Sequence, residues 1–332
     1  MKLEQKYLDI LKDGKNLLAF SAGVDSTALF FILMQNGIEF DIAIVNYNLR
    51  EQSKDEVEYA KWLAKEYNKK VFIKCARLDK KGNFESKARD FRYKFFKKLS
   101  KKEGYNNLIL AHQLNDKLEW LLMRLSKGAG VSELAGMKCI EQRDEFTIVK
   151  PMLDWTKDEL LEFLEENKIK YFVDASNFDK TYERNRFRPI VDELIKVGGK
   201  KGYLKSFQIL HHEREALQEH FKLVYKKKKL LVIKLSDKKY KSYAVAYYLK
   251  RLGYLISGKD RLAVDEHDSL VVGQKWAIEY ANEHLFISPY KTPAMPKEFK
   301  EICRVCKIPP KVRGYIFNKE ISIKKLLRVY RV

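Results

Sequence analysis

Residues 20–27 read FSAGVDST, which sets three hydroxyls and one carboxylate around a single glycine. An apolar run stops at Ser21, a short turn follows, and an apolar helical pattern resumes at Ala28. A strand, a tight turn and a helix N-terminus in that order make a cradle for phosphate. The turn is neither G-x-x-x-x-G-K-S/T nor G-x-G-x-x-G, so no lysine is supplied for the outer phosphates. Backbone amides and the hydroxyls of Ser21, Ser26 and Thr27 are the donors that remain. Asp25 stands among them. A bare carboxylate ~4 Å from a phosphate oxygen costs about 4 kcal/mol at an effective dielectric near 20. A divalent cation between the two oxygens reverses the sign, which is how magnesium is commonly held at triphosphates. Asp25 therefore has two readings: it serves a metal, or it N-caps the following helix. Farther on, Asp116 and Glu119 lie three residues apart on one helix face. Leu118, Leu121, Leu122 and Leu125 are expected to form the buried stripe opposite.

The elements that position these groups alternate. Apolar runs at 16–21, 41–47, 70–76, 107–112 and 146–152 read as strands, with helical patterns between them. In the clearest, 84–99, Phe84, Ala88, Phe91 and Phe95 recur at helical spacing. Repeated strand–helix units imply an α/β doubly wound parallel sheet, which takes ligands at the carboxyl ends of its strands. His112 falls at the end of the fourth strand. Thr156 and Glu159 form a capping box for a helix that buries Leu160, Leu161 and Leu164. Past residue 200 a long polar helix is expected to run through 209–229, with small units centred on 243–262 and 302–332. The domains expected are 1–200, which binds the ligand, 201–290, a helical linker with a small domain, and 291–332, a short tail domain.

The 332 residues hold 66 Lys+Arg against 45 Asp+Glu, a formal charge of +21. That excess fits a polyanionic partner, nucleic acid above all, or else a solvated lysine-rich surface. Of four cysteines, only Cys303 and Cys306 in CRVC have metal-type spacing, and no second pair completes a site. The first residues lack an apolar leader core, and no run reaches membrane-span length. A cytoplasmic location is expected.

The loop resembles the S-G-G-x-D-S signature of the PP-loop ATP pyrophosphatases. Four further stretches resemble the tRNA(Ile)-lysidine synthetase family within that superfamily. VNYNLR (45–50) is similar to its V-D/N-H-x-L-R element, and ARDFRYKFF (88–96) to its A-R-x-x-R-Y helix. AHQLNDKLEWLLMRLSKGAGVSELAGM (111–137) is similar to its A-H-x-x-D-D-x-x-E-T block. DASNFDKTYERNRFRPIV (174–191) is similar to its D-x-S-N…R-N-x-I-R segment. CKIPPKVRGYIF near the end is similar to its small C-terminal domain.

The resemblance implies that ATP adenylates the C2 oxygen of the wobble cytidine of a minor tRNA(Ile) with a CAU anticodon. The ε-amino group of free L-lysine then displaces AMP. It implies that Ser21, Ala22, Gly23, Val24, Asp25 and Ser26 hold ATP, with Asp25 on Mg2+. His112, Asp116 and Glu119 join Asp25 as catalytic candidates. His112 would orient the base or take a proton, and the two carboxylates would meet the cation or the lysine ammonium. Alternatively, those carboxylates are solvated charges. Arg184, Arg186 and Arg188 would contact tRNA phosphate or ATP, or pair with Asp174 and Asp179. Lys226, Lys227 and Lys228 would touch the tRNA backbone. No DNA or membrane partner is implied, and the oligomeric state is open, with a dimer among the options.

Four positions depart from the family pattern. Ala22 replaces the first loop glycine. Were positive φ needed there, alanine would cost about 1 kcal/mol, so an ordinary conformation is expected. Asn115 replaces an aspartate, Trp120 a threonine and Tyr47 a histidine. Two other readings compete: a PP-loop tRNA thiolase, which would call for paired active-site cysteines, and a non-catalytic tRNA-binding homologue.

Overall fold

The computed structural model describes residues 1–48, 52–76, 84–173, 181 and 183–330. They form two compact units, residues 1–119 with 137–200, and residues 120–136 with 201–332.

In the first unit the elements run α1 (Gln5–Lys12), β1 (Asn16–Phe20), α2 (Val24–Gln35), β2 (Phe40–Asn46), α3 (Gln52–Glu66), β3 (Val71–Cys75), α4 (Phe84–Glu103) and β4 (Asn107–Ile109). After α5 (Leu114–Leu125), whose residues from Trp120 on belong with α6 (Val131–Leu134) to the second unit, come β5 (Ile140–Gln142), β6 (Thr147–Val149), α7 (Lys157–Glu166) and α8 (Glu183–Gly198). The sheet order is β3-β2-β1-β4-β6-β5. All neighbours are parallel except the edge pair β5 and β6. The chain leaves β1 toward β2 on one side, and β4 joins on the other. That reversal opens a crevice at the strand C-termini. β1 can sit at the centre because Leu17 and Leu18 are both buried, one on each face, which suits a strand covered on both sides. Apolar residues crowd α2 on nearly every side, and Ala28, Leu29, Phe30, Ile32 and Leu33 are all buried. The Thr156–Glu159 capping box is present at the start of α7. Leu160 and Leu164 are buried there, while Leu161 is half-buried.

The second unit carries α9 (Lys200–Gln218), β7 (Phe221–Lys227), β8 (Leu230–Leu235), α10 (Lys241–Arg251), α11 (Gly258–Glu266), β9 (Ser269–Val272), β10 (Trp276–Ala281), β11 (His284–Pro289), α12 (Lys297–Val305), α13 (Pro310–Asn318) and α14 (Ile323–Leu327). Its antiparallel sheet is ordered β7-β8-β11-β10-β9. Leu231, Ile233, Ile278 and Leu285 pack on one face with Val245 and Leu249 of α10. Leu230, Val232, Ala277 and Phe286 pack on the other with Cys303, Val312 and Ile316. Residues 201–290 and 291–332, expected as separate parts, thus share one unit, because the tail helices cover one side of the sheet. Segment 120–136 belongs here too: Trp120 Nε1 donates to the Glu133 carbonyl at 2.7 Å, and Arg261 pairs with the Glu133 carboxylate at 2.6 Å.

The helix expected through 209–229 ends at Gln218. Lys226 and Lys227 lie instead on β7, and Lys228 turns the chain into β8 with φ +54°. Aromatic and branched residues at 221, 224 and 225 favour a pleated edge strand over continuation of the helix. Among the described residues no helix is long and apolar enough to cross a membrane.

Candidate active site

The loop after β1 carries its strain one residue earlier than the glycine. Ala22 has φ +60° and is wholly buried, while Gly23 sits at φ −75° in extended backbone. The expectation of an ordinary conformation at Ala22 is therefore overturned. The left-handed turn is held by its bonds: Phe172 N–H donates to the Ala22 carbonyl at 2.9 Å, and Gly23 bridges Phe172 in parallel. Ser26 Oγ accepts from Ser21 N–H at 3.2 Å, donates to the Gly23 carbonyl at 3.2 Å, and lies 3.1 Å from Ser21 Oγ. A Cβ at position 23 would meet Ser21 Oγ at 3.6 Å, an ordinary contact, so the turn itself does not require glycine there.

Asp25 does not cap α2. The N-cap is Gly23, and Asp25 lies in the first helical turn. Its Oδ1 is buried and finds no hydrogen-bond partner among the described residues. Burial first, and the Asp116 charge second, push the Asp25 carboxyl up to about 7, against the pull of Lys157, Arg184 and Arg188. A cation would relieve both causes.

Asp25 opens into a cleft of about 220 Å³ with Asn115, Asp116, Glu119, Lys157, Arg188 and Asp192 along its polar side. Leu161, Tyr171, Phe172 and Val173 supply an apolar wall. Among the described residues no three His, Cys, Asp or Glu side chains gather to hold a metal. Magnesium at a polyphosphate, however, takes only one or two carboxylates from the protein and the rest from phosphate and water. One orphaned carboxylate beside a phosphate cradle fits that requirement.

Asp116 and Glu119 are not solvated charges. Glu119 is 2% exposed, and Arg184 forks across the pair, Nη2 to Asp116 and Nε to Glu119, with Arg188 Nε 3.3 Å from Glu119. The Asp116 charge chiefly, joined by that of Glu119, drives the Arg184 guanidinium still higher than its usual range. Arg184 therefore points inward rather than to a free phosphate surface, whereas Arg186 is exposed. Asp174 and Asp179 lie outside the described residues, as do Leu49 and Arg50 of the second matching stretch. Leu125, expected in the buried stripe of α5, is 58% exposed, whereas Leu118 is 1% exposed.

β4 ends at Ile109, so His112 stands on the connection to α5 rather than on the strand. Its Nδ1 is buried without a partner among the described residues. Burial lowers it to about 4, assisted by Lys150, Arg184 and Arg89 and opposed by Asp116, so the ring is neutral at ordinary pH. Tyr47 Oη donates to the Ala88 carbonyl at 3.2 Å, a structural contact for one departure from the family pattern.

Lys157, Asp192 and the 171–173 wall escaped sequence reasoning. Lys157 lies inside the Thr156–Glu159 capping box and reads as an ordinary first-turn residue. Asp192 lies one turn past the arginine segment. Only the folding of α7 and α8 over the crevice brings them in.

A family model described as a PP-loop domain matches residues 1–194. The tRNA(Ile)-lysidine synthase of Campylobacter jejuni subsp. jejuni serotype O:2 is 41% identical over 327 residues, spanning 98% of this chain and 99% of that one. Those of Wolinella succinogenes and Helicobacter pylori strain 26695 are 42% and 40% identical, spanning 94% of this chain in each case and 95% and 92% of theirs. Among solved structures, the U34-tRNA thiolase NcsA from Methanococcus maripaludis, with its 4Fe-4S cluster, superposes with a TM-score of 0.51 at 22% identity. That match covers 61% of this chain and 74% of the thiolase, and it speaks to the fold alone. With near full-length likeness to several relatives of one kind, the chain belongs to the tRNA(Ile)-lysidine synthase family of PP-loop proteins.

Proposed function

We propose that this ATP-dependent ligase modifies the wobble cytidine of tRNA(Ile) in two steps within the cleft at the end of β1. The cytidine C2 oxygen attacks the α-phosphate of ATP and pyrophosphate leaves. The lysine ε-nitrogen then attacks C2, and AMP departs with the C2 oxygen. The amides of residues 21–26 and the Ser21 hydroxyl hold the departing pyrophosphate, and the dipole of α2 adds attraction. Asp25 would hold Mg2+, which when bound neutralises charge gathering on the phosphates. Asp116 and Glu119, each already accepting from Arg184, keep their remaining lone pairs for the substrate ammonium. His112 is too weak a base, at about 4, to strip an ammonium at neutral pH. Its part is to orient the cytidine ring. Arg186 and Lys226–Lys228 would meet the tRNA backbone, while Arg188, in the cleft beside Glu119, would meet ATP.

One observation carries this reading: the buried Oδ1 of Asp25, without a partner among the described residues, at the mouth of a phosphate loop. The test is incubation with ATP, magnesium, labelled lysine and a minor tRNA(Ile) transcript. Label should enter the tRNA, and Asp25→Asn should nearly abolish both transfer and pyrophosphate release while leaving the protein folded. Release at a comparable rate in the variant removes the metal role. Transfer of sulfur in place of lysine removes the reading altogether.

A further inference from the structure

Asn115, where the family pattern has an acid, is 4% exposed and bonded on three sides. Its Nδ2 donates to Asp192 Oδ1 on α8 at 2.9 Å. Its Oδ1 accepts the backbone N–H of Lys157, the first residue of α7, at 3.2 Å. Its own N–H donates to Gln113 Oε1 at 2.6 Å. Three elements of the cleft wall therefore meet on one side chain. An amide can do this because it offers a donor to a carboxylate and an acceptor to a helix N-terminus. Aspartate has no donor and would set a second charge against Asp192. Alanine would leave the Lys157 N–H, one of the orphan donors of a helix start, and the Asp192 carboxylate both unmet.

The geometry points to Asn115 as a positioning residue. It fixes α7 and α8 against α5, so that Lys157 and Asp192 keep their places in the cleft they share with Asp116 and Glu119, the carboxylates assigned above to the substrate ammonium. The phosphate loop at 21–26 is held by its own hydrogen bonds and by Phe172, none of which involves Asn115. The activity arm of the test rests on the proposed function, whereas the exchange arm does not.

The test compares the full wild-type chain with Asn115→Ala, Asn115→Asp and the double variant Asn115→Asp/Asp192→Asn. Amide hydrogen exchange is followed at Lys157. In Asn115→Ala and Asn115→Asp, exchange at Lys157 should quicken about tenfold and kcat/KM for lysine should fall about tenfold, with the Kd for ATP and magnesium changing by no more than about threefold, because Lys157 also pulls on Asp25. In the double variant the amide at position 192 donates to the carboxylate at position 115, whose other oxygen accepts from Lys157, and protection should return. Asn115→Ala adds no charge and decides the matter if Asn115→Asp fails to fold. The inference is overturned if Asn115→Ala keeps wild-type exchange at Lys157, if it keeps wild-type lysine transfer, or if ATP affinity falls in the same proportion as transfer. A wild-type chain that transfers no lysine refutes the proposed function instead, and exchange at Lys157 still decides this point.

Discussion

Asp25→Asn should make the unliganded protein more stable at alkaline pH while ending its activity. The carboxyl moves from an ordinary 3.8 to about 7 on folding. At ~1.36 kcal/mol per unit that shift corresponds to about 4 kcal/mol. Asp25 is only half-buried, and its charge is partly screened, so about 2 kcal/mol is the better figure. The sign follows from the raised value. The folded state favours the protonated acid, so the stabilisation is complete below 3.8 and is lost as pH rises through about 7. The groups facing Asp25 are Asp116 on α5, Lys157 on α7, and Arg184 and Arg188 on α8. An amide is neutral throughout and carries none of this loss. Thermal melts without nucleotide or magnesium should place the variant ~5 °C above wild type near pH 8, at ~2–4 °C per kcal/mol for a chain of this size class. More than half of the gap should open between about pH 5 and about pH 8. With ATP and magnesium present, wild type should gain and the variant should not. A gap that is absent at pH 8, or that is the same at every pH, refutes the claim that folding raises the Asp25 carboxyl.

Other substitutions test neighbouring pieces. Ala22→Gly should add roughly 0.5–1 kcal/mol in urea unfolding, because glycine meets φ +60° without steric cost; a loss would mean that Ala22 packing outweighs its strain. Arg184→Ala leaves the buried Glu119 with Arg188 as its ion-pair partner among the described residues and should cost ~2–3 kcal/mol, allowing for the partial exposure of the arginine. Thr156→Ala removes a capping box and should cost ~1 kcal/mol. Replacing Lys226, Lys227 and Lys228 by alanine should weaken tRNA binding and flatten its salt dependence by up to ~2 in slope, with kcat at saturating tRNA unchanged; an unaltered slope would place the contact elsewhere.

The sheet could be read from the chain because parallel strands are buried on both faces and leave unbroken apolar runs such as NLLAF and DIAIV. β5 could not, since IEQ is a three-residue edge with one apolar side chain. The 221–235 hairpin was masked by lysines, which say nothing about period. Ala22 shows a different limit: its strain is imposed by Phe172, a partner 150 positions away, and no local propensity reports it. Asp25, Asp116 and Glu119 could be picked out because their spacing around a turn and along one helix face is local. The Arg184 fork and the Asn115 clasp could not, since each joins helices whose approach only the tertiary fold decides.

The latching of the 21–26 turn to Phe172 bears on kinetics. A receptor loop already in its bound shape has little disorder to surrender when nucleotide arrives, so association should follow a single exponential whose rate rises linearly with ATP concentration. Loosening the latch, by removing the Phe172 N–H with proline, should add a slow, concentration-independent phase while the docked complex stays chemically the same.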